Sequence, residues 1–470
     1  MDTISERFAA APGPKYRALA TALKEAIAAG ELTPGDRLPP VRELAWTLSI
    51  TPGTAARAYT ILTDAGRLTA EVGRGTFVAA TTRQPPGRPA LLPEPRWPQR
   101  AVSEETEQVS LFSPKLPDMG QSDLIRDAFA RLASSPPERL LNYPSRPAFT
   151  PAREAVLGWL RGTPLGPVDQ QDLVLSHGGQ NGISLVMQAV LRGPKPVVLV
   201  EELSYPGFRR AAELLRAEVV SVPMDARGID PEALDRIAAQ SSAQLLCTSP
   251  EVHNPTGIFT ALERREAIAE IARRRGFHIM EDDCYRTGRS HERSYRALLP
   301  EQGWYVSSIS KLLTPALRIG FVVAPKPWTS ELRRVAEYGF FGIAQPLADL
   351  VADILPRAET LEIAERVRLR VADYVRAAVN ALGRHDLIWR EDMPYLWLRL
   401  PDGWRAGAFV QAAEAVGVQL RAADEFALRD GRAPHAVRMG INAQVALESF
   451  EAAMGRLRDL LDNPPDRIAV

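Results

Sequence analysis

The 470-residue chain is poor in lysine: six of its 57 basic residues are lysine and the rest are arginine. It has two cysteines, Cys247 and Cys284, which excludes a disulfide framework and fits a reducing cytoplasm. No apolar run approaches the roughly 20 residues a membrane helix requires, so no membrane role is expected. The N-terminal MDTISERFAA carries acids and lacks the apolar stretch of a secretory signal. Net charge is zero, which removes any general electrostatic argument for nucleic acid. No repeat with a period of roughly 20–50 residues is present. What remains, 45% hydrophobic and 24% charged, is an ordinary globular composition with length for two or three domains.

The chain divides at residues 79–109. Pro85, Pro86, Pro89, Pro93, Pro95 and Pro98 fall there without any apolar period. Proline at that density favours an extended, semi-rigid spacer over a packed element. Before it, three helical patterns are expected. The first runs over 15–29, with Tyr16, Leu19, Ala20, Leu23 and Ile27 at helical spacing and Gly30 closing it. A second covers 41–48. The third follows Thr51, a candidate N-cap with Pro52 at the first helical position, and reaches Gly66. RLTAEVGRGTFVAA then reads as strand, Gly-Arg-Gly turn and strand.

After the spacer, DLVLS, PVVLVEE, AQLLCTSP, HIMEDD and GWYVSSIS are short apolar strands alternating with helical patterns. Such alternation predicts a mainly parallel sheet flanked by helices. The last hundred residues pair helices with YLWLRLP and AVRMGI, a smaller α+β lobe.

Helix-turn-helix followed by a two-stranded wing is a DNA-binding arrangement. The stretch LPPVRELAWTLSITPGTAARAYTILTDAGRLTAEVGRGTFV (38–78) resembles the winged helix of the GntR family of bacterial transcription factors. The resemblance implies DNA contacts from Arg42, Thr54 and Arg57 and from the wing tip Gly73, Arg74, Gly75 and Thr76. The chain departs from that family at Thr51-Pro52, where Ser-Arg is usual, so one base-reading arginine is missing. Through residue 78, nine basic residues face eight acids. That footprint is faint, and binding through it calls for a second copy of the domain.

The scarcity of lysine draws attention to Lys311, in SSISKLLTPALRIGF (307–321). An amine, unlike a guanidinium, can lose its proton and attack an aldehyde. Pyridoxal phosphate would need that amine, an acid for its ring nitrogen, donors for its phenolate oxygen and a phosphate cradle. Asp282 in HIMEDDCYR can serve the ring nitrogen, and Asn254 in SPEVHNPTG and Tyr285 can donate to the phenolate. SHGGQNG (176–182) lies between strand and helix, where free backbone amides collect around an anion. Ser308, Ser310 and Arg318 add hydroxyls and a charged fork. Tyr205, in LSYPGF, can stack on a ring. Taken singly, each of these is also a cap, a turn or a packed aromatic.

Their succession resembles the fold type I aminotransferases over roughly 111–466. The resemblance implies that Lys311 holds pyridoxal 5'-phosphate as an imine, with Asp282 at the pyridine nitrogen. It places Asn254 and Tyr285 at the phenolate and Tyr205 on the ring face. Gly179, Gln180, Ser308, Ser310 and Arg318 would hold the phosphate. It also implies that Tyr143, in LNYPSRP, crosses a homodimer to the neighbouring phosphate, and that Arg438, in HAVRMGI, forks a carboxylate. Departures fall on the substrate side: Ala148 and Phe149, Met393-Pro394, and Ala422-Ala423 before Asp424, Glu425 and Phe426.

A winged helix (1–78), a proline-rich linker (79–109) and an aminotransferase-like domain (110–466) together resemble the MocR subgroup of GntR regulators. That resemblance implies a cytoplasmic transcriptional regulator binding double-stranded DNA at an operator with two half-sites. It further implies a head-to-tail homodimer with exchanged DNA-binding domains, and an amine or amino acid effector sensed at Lys311. A working aminotransferase with an accessory DNA module is the alternative, and a DNA-binding protein with a dimerisation scaffold is a third reading.

Overall fold

The computed structural model describes residues 2–10, 13–64, 67–71, 75–79, 108–134, 141–428 and 431–464. The expected linker at 79–109 therefore lies almost wholly outside the described residues, as do Gly73 and Arg74 of the wing tip. The chain forms two compact units, Met1–Val102 and Ser103–Val470. Among the described residues, no helix is long and apolar enough to cross a membrane.

In the first unit the helices are α1 (Asp2–Ala10), α2 (Lys15–Ala28), α3 (Val41–Thr47) and α4 (Pro52–Asp64). The three expected helices are present, and α1 is additional. Thr51 caps α4 as its position suggests: the Thr54 amide donates to Thr51 Oγ1 at 3.3 Å, while Pro52 occupies a position whose N–H would be unpaired anyway. Strands β1 (Arg37–Leu38), β2 (Leu68–Glu71) and β3 (Gly75–Val78) form one antiparallel sheet in the order β1-β3-β2. The wing is thus three-stranded, because Arg37 and Leu38 pair with Phe77 and Thr76. Leu19, Leu23, Leu44, Ala55 and Leu62 make its core.

The second unit is built on a seven-stranded sheet. Its strands are β4 (Leu173–Ser176), β5 (Val197–Glu201), β6 (Glu218–Val222), β7 (Ala243–Thr248), β8 (His278–Asp282), β9 (Gly303–Ser308) and β10 (Gly320–Val323). Their order is β4-β10-β9-β8-β7-β5-β6. Pairing is parallel except at β10, which runs antiparallel to both β9 and β4. The sheet is mixed because the turn carrying Lys311 leads straight back from β9 into β10, with no crossover helix between them. Helices α5 (Gly178–Val190), α6 (Pro206–Leu214) and α7 (Leu262–Arg275) belong to this layer. The smaller lobe carries the long α8 (Ala358–Leu382) and α9 (Leu447–Asp462). Its antiparallel sheet has the order β11 (Leu387–Ile388), β12 (Tyr395–Arg399), β14 (Ala436–Gly440), β13 (Arg421–Ala422).

Alternation along β8 separates two adjacent carboxylates. Glu281 meets Arg265 of α7 at 3.9 Å and accepts the Tyr295 amide at 2.7 Å. Arg265 is itself held by Glu251 at 2.8 Å, and it offsets only part of the desolvation of Glu281. Burial pushes the Glu281 carboxyl from its ordinary 4.5 up to about 8, against the pull of Arg265. A carboxyl raised on folding favours the folded state while protonated, and that advantage is lost as pH rises from its ordinary value through its folded one. Glu281→Gln keeps an acceptor for Tyr295 and removes the proton. The urea stability of wild type relative to this variant should therefore fall between about pH 5 and 8, by on the order of 3 kcal/mol. A pH-independent difference would remove Glu281 as its source.

Candidate functional site

The carboxyl ends of β8 and β9 and the amino end of α5 meet, and the residues singled out in the sequence gather there. Asp282 is the last residue of β8 and is buried. Its Oδ1 accepts the Cys284 amide at 3.0 Å. Burial pushes the Asp282 carboxyl up to about 6; hydrogen bonds with Cys284 pull it down, while Asp283 and Glu201 add to the rise. Among the described residues, no cation lies within ion-pair distance of Asp282.

Lys311 sits half-buried in the turn after β9, with Nζ 5.1 Å from the centre of the Tyr285 ring. The Arg438 guanidinium is 6.0 Å from the same ring. Burial alone would raise the Tyr285 hydroxyl, but Lys311 and Arg438 outweigh it and leave it below its ordinary value. Arg438 donates through Nη1 to Asn254 Oδ1 at 2.7 Å and through Nη2 to the Phe112 carbonyl at 2.7 Å. Tyr205 is half-buried directly before α6, and burial, then Tyr285, Asp282 and Cys284, push its hydroxyl upward. The structure therefore brings Lys311, Asp282, Asn254, Tyr285, Tyr205 and Arg438 together.

The opposite wall is the start of α5. Gly179 and Gln180 lie in its first turn, and Gln180 Nε2 donates to the Gly207 carbonyl at 3.0 Å. A Cβ on Gly179 would stand 2.4 Å from Cys284 Sγ, and one on Gly178 2.4 Å from Arg318 Nη2. The glycine-rich turn thus lets the backbone of α5 close onto the Asp282 loop and the Arg318 side chain. Arg318 itself adopts φ 52°. The Ser310 amide reaches Ser308 Oγ at 3.4 Å.

Among the described residues, the buried atoms without a hydrogen-bond partner include the donors Asn254 Nδ2, Ser310 Oγ and Arg438 Nε here, and close by Asp283 Oδ1, Glu201 Oε2 and His253 Nε2. Unpaired buried polar atoms are costly and uncommon.

Tyr143 is not part of this cluster. It is 88% exposed, packs on Phe341 at 5.9 Å, and lines a separate cavity of about 470 Å³. Phe149 lines that cavity too, so this departure from the family lies away from Lys311. Met393, by contrast, is fully buried against the Asn-Pro-Thr-Gly turn: a Cβ on Gly257 would come within 2.5 Å of its sulfur.

In the winged helix, Arg42 and Arg57 are exposed and Thr54 is half-buried. Thr54 Oγ1 lies 2.8 Å from Thr51 Oγ1, and the Arg57 guanidinium stacks 4.1 Å from the Tyr16 ring centre. Sequence reasoning missed Cys284, whose amide bonds Asp282, Phe112, whose carbonyl bonds Arg438, and Arg421, which bonds the same carbonyl. For the cysteine the only signal is its place two residues after Asp282; the other two are brought in by sheet register.

Residues 106–457 match the family of class I and II aminotransferases, and residues 15–78 match the gntR family of bacterial regulatory proteins. The uncharacterised HTH-type transcriptional regulator YdeF of Bacillus subtilis is 27% identical over 464 residues, covering 96% of this chain and 95% of YdeF. The HTH-type transcriptional regulator TauR of Rhodobacter capsulatus is 30% identical, covering 70% of this chain and 72% of TauR. Among solved structures, the α-aminoadipate aminotransferase LysN of Thermus thermophilus superposes with a TM-score of 0.66 at 24% identity, over 76% of this chain and 92% of LysN. The chain therefore belongs to the class I and II aminotransferase family, joined to an N-terminal gntR-family winged helix in the arrangement of the MocR subgroup.

Proposed function

We propose that the protein is a DNA-binding transcriptional regulator whose aminotransferase-like domain holds pyridoxal 5'-phosphate and senses a small amine or amino acid. The observation that carries this reading is the set of unpartnered buried groups around Lys311 in a chain that begins with a gntR-type winged helix. The relatives named as HTH-type regulators support it. The division proposed is a winged helix at 1–78, a linker at 79–109 and the cofactor domain at 110–466.

The residues present fit the cofactor. Asp282, buried without a cation, is suited to a ring N–H, since a pyridinium would supply the missing positive charge. Asn254 Nδ2 and the acidified Tyr285 hydroxyl are donors for a phenolate oxygen. Tyr205 would cover the ring face. The first turn of α5, with Gly179 and Gln180, together with Ser308, Ser310 and Arg318, would receive the phosphate. When bound, pyridoxal phosphate supplies an aldehyde carbon that amines condense with and a chromophore that reports it. Lys311 holds the amine next to Tyr285, whose lowered hydroxyl can take up or return a proton beside it. Arg438 orients a carboxylate. Tyr143, exposed among the aromatic residues of the separate cavity, would reach the phosphate of a second copy in a head-to-tail homodimer that exchanges DNA-binding domains.

A second reading is favoured by the completeness of this set: an active aminotransferase with an accessory DNA module. The two readings part in one assay. The cofactor-loaded protein is incubated with an amino acid panel, following keto acid, visible absorbance and operator affinity together. A regulator shows a saturable absorbance change coupled to operator affinity with little keto acid. Rapid, sustained keto acid formation without any effect on DNA would decide for the enzyme.

Gly179→Ala should weaken cofactor retention by at least about tenfold by driving its new methyl into Cys284. The double variant Gly179→Ala/Cys284→Ala should recover most of that loss, because the obstructing sulfur is gone. Retention read by cofactor absorbance after dialysis tests both. Failure of the rescue would locate the damage in the turn itself.

For DNA, Arg42→Ala should weaken binding to a two-half-site operator by about tenfold. The isolated segment 1–79 should bind far less tightly than the full-length protein, since linked modules gain by effective concentration. Equal affinity of segment and full chain in a mobility-shift titration would show that the larger domain does not organise binding.

A further inference from the structure

The arginine expected to fork a carboxylate already holds an oxygen of the chain. The Phe112 carbonyl accepts from Arg438 Nη2 at 2.7 Å and from Arg421 Nε at 2.9 Å. Arg421 and Arg438 are register partners on β13 and β14, so their side chains leave the same face of the small-lobe sheet and converge on that one oxygen. The Arg421 guanidinium also stacks 5.5 Å from the Phe112 ring centre and pairs with Glu425. Arg438 is 3% exposed, its Nε has no partner, and among the described residues no carboxylate lies within ion-pair distance of it. A guanidinium buried against two neutral oxygens, those of Asn254 and Phe112, gains far less than it would from an anion.

Phe112 ends a short strap. The two-residue strand Val109–Ser110 pairs in parallel with Val418–Gln419. The Val109 amide donates to Gly417, the Leu111 amide to Gln419, and the Gly440 amide to the Leu111 carbonyl, at 2.7–2.9 Å. Asn442 Nδ2 reaches the Ser110 carbonyl at 3.1 Å. In sequence, this strap directly follows the segment that joins the two units.

We propose that the effector carries a carboxylate which displaces the Phe112 carbonyl from Arg438 and thereby loosens the strap at 109–112, with Arg421 as the positioning residue that holds the carbonyl in place. This rests on the regulator reading above and specifies its effector class and the first movement it causes. A bidentate carboxylate on the Nε and Nη2 edge of Arg438 satisfies the unpaired Nε, and it competes for the hydrogen bond now made to Phe112. A plain amine has nothing to offer Arg438 and leaves the strap closed. A ligand shifts an equilibrium only through contacts that differ between the two states, and this exchange of acceptors is such a difference.

Hydrogen exchange of the full-length, cofactor-loaded protein, read on the peptide covering 108–113, tests the proposal. The probes are the twenty protein amino acids and, for each that changes cofactor absorbance, the amine made by its decarboxylation. Exchange at Val109 and Leu111 should rise at least fivefold with the amino acid and stay unchanged with the amine. Equal exchange in the two complexes would overturn the proposal. Without any ligand, Arg421→Gln should speed exchange of the same amides at least fivefold, whereas Glu425→Gln, which leaves the bond to Phe112, should not. Arg421→Gln should also lower the half-saturating concentration of the amino acid at least threefold and leave that of its amine unaltered. A higher concentration for the amino acid would instead make Arg421 a direct ligand of the carboxylate and sink the strap. If none of the twenty amino acids or of their decarboxylated amines alters the absorbance, the sensor reading fails, and the ligand-free exchange of Arg421→Gln still decides whether Arg421 holds the strap.

Discussion

Asp282 is a carboxylate buried at the end of a central strand with no cation beside it, and the rest of the site is arranged around that deficit. Desolvating a carboxylate without a partner is costly, and the group answers by holding its proton more tightly, up to about 6. The local fold does not remove the cost: Cys284 supplies hydrogen bonds that ease it, and Asp283 and Glu201 worsen it. The same incompleteness recurs at Asn254 Nδ2, Ser310 Oγ and Arg438 Nε. An isolated unsatisfied atom is a packing flaw. A buried carboxylate short of positive charge, beside donors short of acceptors, is the combination on which the cofactor proposal above rests.

Much of this is legible in the sequence because each element sits where a strand ends or a helix begins, and those boundaries have local signals. Asp282 ends an apolar strand, Lys311 follows one, Gly179 lies in the first turn of a helix, and Thr51 caps one. The mainly parallel sheet is expected on the same grounds. What cannot be read depends on pairing between distant segments. Gly320–Val323 is four apolar residues whose antiparallel direction is decided only by its neighbours. Arg421 faces Arg438 through strand register, and Phe112 reaches both from more than three hundred residues away in sequence. Arg37 and Leu38 become a third wing strand only because β3 offers an unpaired edge. The helix Asp2–Ala10 is hidden for a simpler reason: its nine residues make about two turns and a half, too few for a period to show.

The two units meet different physical demands. A winged helix with nearly balanced charge has little electrostatic hold on DNA, which is why the proposal above has it presented in pairs. That makes the larger domain more than a passive neighbour, because anything that changes how the pairs are presented changes binding. If an effector acts as proposed, linkage requires DNA to alter its affinity by the same factor.

The substrate side bears on the choice between the regulator and enzyme readings. Catalytic turnover needs space for a substrate to enter and leave, and the family's usual Gly-Gly before this strand is Met393-Pro394 here. Here Met393 is fully buried against Gly257, and Asp392 accepts Thr287 Oγ1 at 2.6 Å through its carbonyl, so the loop before β12 is pinned to the Asn-Pro-Thr-Gly turn and to the Tyr285 loop at once. Tyr395, which follows, donates to the His253 carbonyl at 2.7 Å and packs edge-on to Tyr285 at 5.3 Å. A wall tied in this way suits a ligand that binds and stays better than one that must be released every cycle. On the regulator reading proposed above, this tied wall sets slow turnover beside a site still equipped to bind an amine, which is the combination a sensor requires.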